Sequence, residues 1–194
     1  MVLNTLDNEH NFKIVLIGPE NSGKSALINA LFGKNISLVS NIGGTTKMPV
    51  KKYWGKIKIG KSKKNPEFAN ISFVDLGGLY TSKGDKKSPV LVGKIFEETY
   101  NEIENSDLII HVIDGTEGLL KNFEKLHHLL KFRYEKPIIV VISKCDLISD
   151  NNKIDYLKKN VENRLNNSIV LTSTITYIGI SELLNIIINI LKNK

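Results

Sequence analysis

The sequence predicts an α/β fold, a mostly parallel sheet of six strands with helices on both faces. Short apolar runs alternate with segments of helical period along the chain. The runs are rich in β-branched residues and poor in polar interruptions, as strands covered on both faces require. The chain has 194 residues, 41% of them hydrophobic, which suffices for one well-buried core and falls short of two. One domain over residues 12–194 follows, preceded by a loose tail over residues 1–11.

The first strand is "FKIVLIG" (12–18), and the helix after it is "KSALINALFG", whose Ala26, Leu27, Ala30 and Leu31 share one face. "VKKYWGKIKI" (50–59) and "NISFVD" (70–75) are two strands, and the Gly, Ser, Asn and Pro of the intervening "GKSKKNPEF" predict a hairpin. A helix is expected near 89–105, the strand "DLIIHVID" at 107–114 and a helix near 117–132. "KPIIVVIS" (136–143), a helix near 153–166, "SIVLT" (168–172) and a last helix "SELLNIIINILK" (181–192) complete the alternation. That last helix is apolar almost all round and is read as core. His111, inside an apolar strand, is read as a satisfied core histidine, and His127 with His128 as a helix-surface pair.

The single cysteine, Cys145, excludes an internal disulfide and reads as a small half-buried thiol. No Cys/His spacing suits a metal, so a reducing, cytoplasmic setting is expected. No run reaches the roughly 18 apolar residues that span a membrane. The start "MVLNTLDNEH" lacks a signal pattern and the end "ILKNK" a prenylation box, so no membrane anchor is expected. The net charge of +7 has an address: Lys47, Lys51, Lys52, Lys56, Lys58, Lys61, Lys63 and Lys64 fall within 18 residues that contain no acid, leaving the remainder close to neutral.

"GPENSGKS" (18–25) fits G-x-x-x-x-G-K-[ST] at a strand-to-helix turn, where a phosphate loop belongs. Gly18 and Gly23 let the backbone turn tightly and aim N–H groups inward, and the helix N-terminus adds positive potential. Ser22 and Ala26 belong to the same nucleotide-contact set. Lys24 would reach the β- and γ-phosphates, and the Ser25 hydroxyl would bind magnesium. The pattern alone serves ATPases, kinases and GTPases equally. "ISFVDLGG" ends an apolar strand with Asp75 at the carboxyl edge of the sheet, a second magnesium ligand, and Gly78 completes D-x-x-G, leaving room for a backbone N–H at the γ-phosphate.

"SKCD" (143–146) follows the apolar "IIVVI". A carboxylate at Asp146 can accept two parallel hydrogen bonds from the ring N–H and exocyclic amine of guanine, a donor pair that adenine lacks. Readout of this kind discriminates by about 10⁴ or more, because the wrong base leaves buried polar groups unpaired. Lys144 would lie along the base plane.

The ordered set "GPENSGKS", "GGTTK", "DLGG", "SKCD" and "TSTI" resembles the five motifs of the P-loop GTPase superfamily, and most of all the Era- and TrmE-like branch of its translation-factor-related class. The resemblance covers residues 12–192. It implies the three-layer, Ras-like P-loop GTPase fold with sheet order 2-3-1-4-5-6 and the second strand antiparallel at the edge. It implies GTP or GDP with Mg²⁺ as ligands, and switches at 34–48 and 77–95. Thr46 becomes the switch threonine that closes on magnesium. Ser173, Thr174 and Ile175 match the S-A-K motif, the Thr174 N–H meeting the guanine carbonyl oxygen. Two departures stand out: Ser143 replaces the usual asparagine, weakening one tie between base loop and phosphate loop, and Ile175 replaces a lysine.

Leu79 stands where a Ras-type GTPase has its water-orienting glutamine, and neither arginine, Arg133 or Arg164, lies near a switch in the sequence. An arginine finger contributes about 10³ to 10⁵ in rate, so unassisted hydrolysis is expected on the order of 10⁻³ per second or less. Two readings of Asn21 stay open. It suits a turn, and it falls where potassium-dependent members of the resembled branch carry a cation-binding asparagine, so that K⁺ would place charge where a finger would. The catalytic set is then Lys24, Thr46, Gly78 and Asn21, with K⁺ or an activating protein as stimulant. A chain that senses GTP without hydrolysing it is the first alternative, and a P-loop ATPase or kinase the second.

Lys52, Lys56 and Lys58 alternate with Tyr53, Ile57 and Ile59 and share a strand face with Trp54. Such a face suits RNA phosphates and a stacked base, and the Lys47 to Lys64 segment is assigned to RNA or the ribosome, with no DNA sequence readout. Lys83, Lys86 and Lys87 in the second switch extend that patch. Two blander readings remain open: lysines guarding an edge strand and Trp54 packed in the core.

Overall fold

The computed structural model describes residues 10–43, 50–59, 68–76 and 99–193. Strand β1 (His10–Ile17) leads through the phosphate-loop segment into α1 (Lys24–Asn35). Then come β2 (Ile36–Gly43), β3 (Val50–Lys58) and β4 (Phe68–Leu76), helical residues 99–104 (α2), β5 (Leu108–Asp114) and α3 (Lys121–Tyr134). β6 (Ile138–Ser143), a 3-10 turn (Cys145–Leu147), α4 (Asn151–Leu165), β7 (Ile169–Leu171) and α5 (Ile180–Lys192) follow.

The sheet runs β2-β3-β4-β1-β5-β6-β7. β3 pairs antiparallel with both β2 and β4, and every other pairing is parallel. The six expected strands therefore stand in the expected order, with the β3–β4 hairpin antiparallel. β2 is an addition: it lies within residues read as a switch and pairs Ile36–Gly43 along β3, so β3 is not the edge. β1 likewise starts earlier than read, since His10 and Asn11, assigned to the tail, pair with Ala69 and Asn70 of β4. The turn between β3 and β4 lies outside the described residues, as do the first residues of the helix expected at 89–105.

Core placement follows the strand alternation. On one face Ile14 and Leu16 of β1, Ile71 and Phe73 of β4, and Ile110 and Val112 of β5 pack against Leu27 and Leu31 of α1 and Leu183 and Ile187 of α5. On the other, Val15, Ile17, Val74 and Ile109 meet Ile103 of α2 and Phe123 and Leu130 of α3, while Val140 and Ile142 meet Val161 and Leu165 of α4. Every residue of β5 is buried, the mark of a central parallel strand. α5 buries Ile180, Leu183, Leu184, Ile187 and Leu191 and turns Ser181, Glu182, Asn185 and Asn189 to solvent, so it is a core helix with a polar outer face.

His127 corrects the surface-pair reading. The buried stripe of α3 is Phe123, Leu126, His127 and Leu130, which carries the imidazole inward to 3.2 Å from His111, Nδ1 to Nδ1. Helix α3 starts four residues later than read because the chain first turns around Asp114, with Glu117 and Gly118 donating to its carbonyl.

Candidate nucleotide site

The β1–α1 connection is a tight loop bounded by Gly18 and Gly23. Gly18 has φ 151° and a Cβ there would lie 2.2 Å from the Val112 carbonyl oxygen, so no side chain fits; Gly23 has φ 89°. Asn21, exposed at the loop's apex, holds φ 63° in the left-handed region that asparagine tolerates. Lys24 opens α1 and is only 5% exposed; its ammonium donates to the carbonyls of Pro19 (2.7 Å) and Gly18 (3.1 Å). Burial lowers its pKa, with Asp75 and then Glu20 pulling the other way.

The β1–β4 register sets Asp75 beside Leu16, at the carboxyl edge next to the loop. The Ser25 hydroxyl donates to Asp75 Oδ2 at 2.5 Å, while Asp75 Oδ1 is buried without a hydrogen-bond partner and sits 4.0 Å from the Lys24 ammonium. A buried carboxylate oxygen left bare beside a serine hydroxyl is costly unless a cation completes it. These hard oxygen donors fit magnesium. Ser22 Oγ is a second buried polar atom with no partner in the same loop.

The base motif stands one strand pair further along the edge. Ser143 ends β6, and its hydroxyl donates to the Ser22 carbonyl at 2.7 Å, with the Ile113 carbonyl at 3.1 Å. The tie expected to weaken without asparagine is thus made by serine. Lys144 holds φ 56° and opens the 3-10 turn that presents Asp146 to solvent. Cys145, buried in that turn, donates its N–H to the Thr172 carbonyl, joining base turn to the β7 loop. Burial and then the Asp146 charge raise the Cys145 pKa, so it stays a thiol.

In the β7 loop Ser173 is fully buried and its hydroxyl accepts from the N–H groups of Ile175 (3.3 Å) and Thr176 (3.0 Å), so these bonds fall beyond Thr174. Gly179 closes the loop at φ 71°, where a Cβ would lie 1.8 Å from the Leu171 carbonyl oxygen. Ile175 is 78% exposed.

Gly18, Asn21, Ser22, Gly23, Lys24, Ser25, Ala26, Asp75, Ser143, Lys144, Asp146, Ser173, Thr174 and Ile175 all lie on loops or element ends at the carboxyl edge of the sheet, where ligands of open α/β folds bind. Thr46, Gly78 and Leu79 lie outside the described residues. Both arginines are engaged on the α3–α4 side: Arg164, near the end of α4, pairs with Glu124 in the first turn of α3, and Arg133, at the end of α3, lies over the Tyr134 ring.

One residue escaped the sequence reading. Asp114, 4% exposed at the end of β5, accepts from the Thr116 N–H (2.8 Å) and hydroxyl (2.6 Å) on Oδ1 and from the Lys144 ammonium (2.7 Å) on Oδ2. Burial works to raise its pKa, and the bonds from Lys144 and Thr116 outweigh it, holding the carboxyl below its ordinary range. The signal was there: an acid closing an otherwise apolar strand, followed by Gly115, where a Cβ would come within 2.6 Å of the Ser143 carbonyl oxygen.

Comparison with known proteins agrees with this geometry. The profile of the family described as 50S ribosome-binding GTPase matches residues 13–144. An uncharacterized protein of Methanocaldococcus jannaschii is 61% identical over 184 residues, covering 95% of this chain and 98% of its own. GTPase Der of Persephonella marina is 33% identical over 180 residues, covering 89% of this chain and 37% of its own, so the chain spans well under half of that relative. Among solved structures, Era in complex with MgGDPNP and a segment of 16S ribosomal RNA superposes with a TM-score of 0.68 at 30% identity, over 93% of this chain and 57% of that one. Among the described residues no helix is long and apolar enough to cross a membrane. Fold, loop geometry and profile thus converge, and the chain belongs to the 50S ribosome-binding GTPase family, in the translation-factor-related class with its Era and Der relatives.

Proposed function

We propose that this chain binds GTP with magnesium, hydrolyses it slowly, and uses the change of nucleotide to control a contact with RNA or a ribosomal particle. The observation that carries the nucleotide part is the Ser143 to Ser22 hydrogen bond, which locks the base turn to the phosphate loop at one spacing. Magnesium would bind at Ser25, Asp75 and Thr46, where it would neutralise charge on the β- and γ-phosphates. Lys24 would exchange the Gly18 and Pro19 carbonyls for phosphate oxygens, and Asp146 would read the guanine edge. Comparing GTP with ATP binding, with Asp146→Asn as probe, tests this; tighter ATP binding would remove the GTPase assignment in favour of an ATPase or kinase.

The arginine placement supports slow hydrolysis, since Arg164 is held by Glu124 and Arg133 lies over the Tyr134 ring, which leaves neither as a free finger on the phosphate loop. Asn21, exposed beside the loop, is the candidate potassium ligand that would supply the missing charge, and a partner protein is the other source. The same placement favours a second reading, a subunit that senses GTP without cutting it. Single-turnover hydrolysis in sodium and in potassium, with an Asn21→Ala control, separates the two. A potassium gain lost in the variant supports the first, and no turnover in either salt leaves the sensor.

For RNA, the support is the solvent face of β3 and β4. Trp54 is 37% exposed and Phe68, opposite Lys58 in the register, 51% exposed; Lys56 and Lys58 are exposed between them, while Tyr53, Ile57 and Ile59 are buried. Two aromatic faces flanking a row of ammonium groups suit stacked bases and phosphates. Because β2 covers the outer side of β3, edge protection does not account for these lysines. Lys47, Lys61, Lys63, Lys64, Lys83, Lys86 and Lys87 lie outside the described residues. Filter binding over a salt series should weaken steeply if the lysines meet phosphates. Affinity unchanged after neutralising Lys56, Lys58, Lys61 and Lys63 would count against this surface.

A further inference from the structure

Asp146 does not stand on a rigid element. It is the middle residue of a three-residue 3-10 turn, exposed, and its turn is entered through Lys144 at φ 56°, a conformation that L residues rarely adopt. Something outside the turn must hold that entry. Ser143 on the preceding side is tied to the phosphate loop, and Cys145 on the following side to Thr172. The Lys144 carbonyl accepts from Leu147 N–H within the turn at 3.0 Å, and the restraint from outside the turn is the side chain, whose ammonium reaches back across 30 residues to Asp114 Oδ2 at 2.7 Å.

Asp114 is built to be a fixed anchor. Its Oδ1 is occupied twice by Thr116, its carbonyl accepts from Glu117 and Gly118, and Gly115 N–H donates to the Ser143 carbonyl at 2.9 Å. The carboxylate therefore cannot rotate away without breaking a loop that is itself clamped to the end of β6. We infer that Asp114 is a specificity-positioning residue: it holds Lys144 in the left-handed entry, and through Lys144 it aims the Asp146 carboxylate at the guanine edge. The inference rests on Asp146 being the base reader.

Its distinctive consequence is on base discrimination. A loosened base turn loses the paired hydrogen bonds to the ring N–H and the exocyclic amine, so affinity for GDP falls toward that for inosine diphosphate, which lacks the amine. Phosphate contacts, made by another loop, contribute equally to both ligands and cancel in the ratio.

The test measures GDP and inosine diphosphate dissociation constants for the wild type, Asp114→Asn, Lys144→Gln and the double variant. Breaking a largely buried carboxylate–ammonium pair with a partly exposed lysine should weaken GDP about tenfold and lower the GDP preference by a similar factor. Because Asp114 acts through Lys144, adding Asp114→Asn to Lys144→Gln should cost nothing further. Should Asp114→Asn not fold, Thr116→Val, at an exposed position, removes one bond to the anchor and should weaken GDP about threefold. An unchanged GDP preference in Asp114→Asn or, failing that variant, in Thr116→Val, or full additivity of the two single effects, overturns the inference. Asp146→Asn in parallel keeps the two levels apart: if it too leaves the preference unchanged, the base-reading role of Asp146 has failed, and if it alone collapses the preference, only the positioning role has.

Discussion

Acidification from pH 7.5 to 5.0 should destabilise this fold through two imidazoles that take no part in the nucleotide site. His111 and His127 are both fully buried, their Nδ1 atoms 3.2 Å apart, and neither Nε2 has a hydrogen-bond partner. Burial, and then the neighbouring His127, pushes the His111 pKa from 6.5 to about 3. Burial, then His128 and Lys131, pushes His127 from 6.5 to about 4, against a weaker upward pull from the Leu165 backbone. At pH 5.0 both rings are therefore neutral in the folded protein and protonated in the unfolded chain. The unfolded state binds more protons, so stability falls as pH falls, beginning near the unfolded value and continuing down to the folded ones. With 1.36 kcal/mol for each unit between 6.5 and 5.0, the loss is about 2 kcal/mol per ring and about 4 kcal/mol for the pair. That is a large share of the ~5–15 kcal/mol that holds a domain together. The assay is urea unfolding at the two pH values for the wild type and for His111→Leu/His127→Leu, both saturated with the same nucleotide so that carboxylate and ligand titrations cancel. The wild type should lose about 4 kcal/mol more than the double variant, and a single His111→Leu about half of that excess. Equal losses in wild type and double variant would refute the reasoning.

Three further outcomes are expected. Gly18→Ala places a methyl 2.2 Å from the Val112 carbonyl oxygen at φ 151°, and should cost about 2 kcal/mol or more in chemical unfolding. Ser143→Ala leaves the Ser22 carbonyl without its 2.7 Å donor, which at about 1 kcal/mol should speed GDP release about fivefold in a stopped-flow chase. Asp75→Asn removes the charge beside Ser25 and should cut the tightening of GTP binding by magnesium by about tenfold or more, while binding in a chelator changes little; equal tightening in variant and wild type would show that Asp75 is not a ligand.

The strands and the phosphate loop were legible because their signals are local. An apolar β-branched run followed by two glycines and a lysine dictates strand, turn and helix N-terminus without help from distant residues, and Gly18 and Gly23 occupy backbone conformations that explain why they are glycine. Asp75 and Asp146 were singled out for a related reason, and their placement agrees: an acid at or just past the end of an apolar strand emerges at the sheet's carboxyl edge. Asp114 carries the same signal and was passed over, since nothing in the neighbouring sequence says that its partner is Lys144. His127 was misplaced because adjacent histidines read as polar, although the i, i+3, i+4, i+7 spacing of Phe123, Leu126, His127 and Leu130 already put it on the buried stripe.

The sequence by itself determined the fold class, the strand order through its family resemblance, and the motif residues proposed for phosphate, magnesium and guanine. Only the tertiary structure decided how those positions are held relative to one another. Ser143 reaches Ser22 across 121 residues, Lys144 reaches Asp114 across 30, and β2 closes the outer side of β3 through pairings of residues with no shared local pattern. Backbone conformation is set largely by residues within a few positions, so a motif can be recognised in isolation. Hydrogen bonds between loops depend on where packing brings strand ends, and that geometry exists only once the sheet has formed.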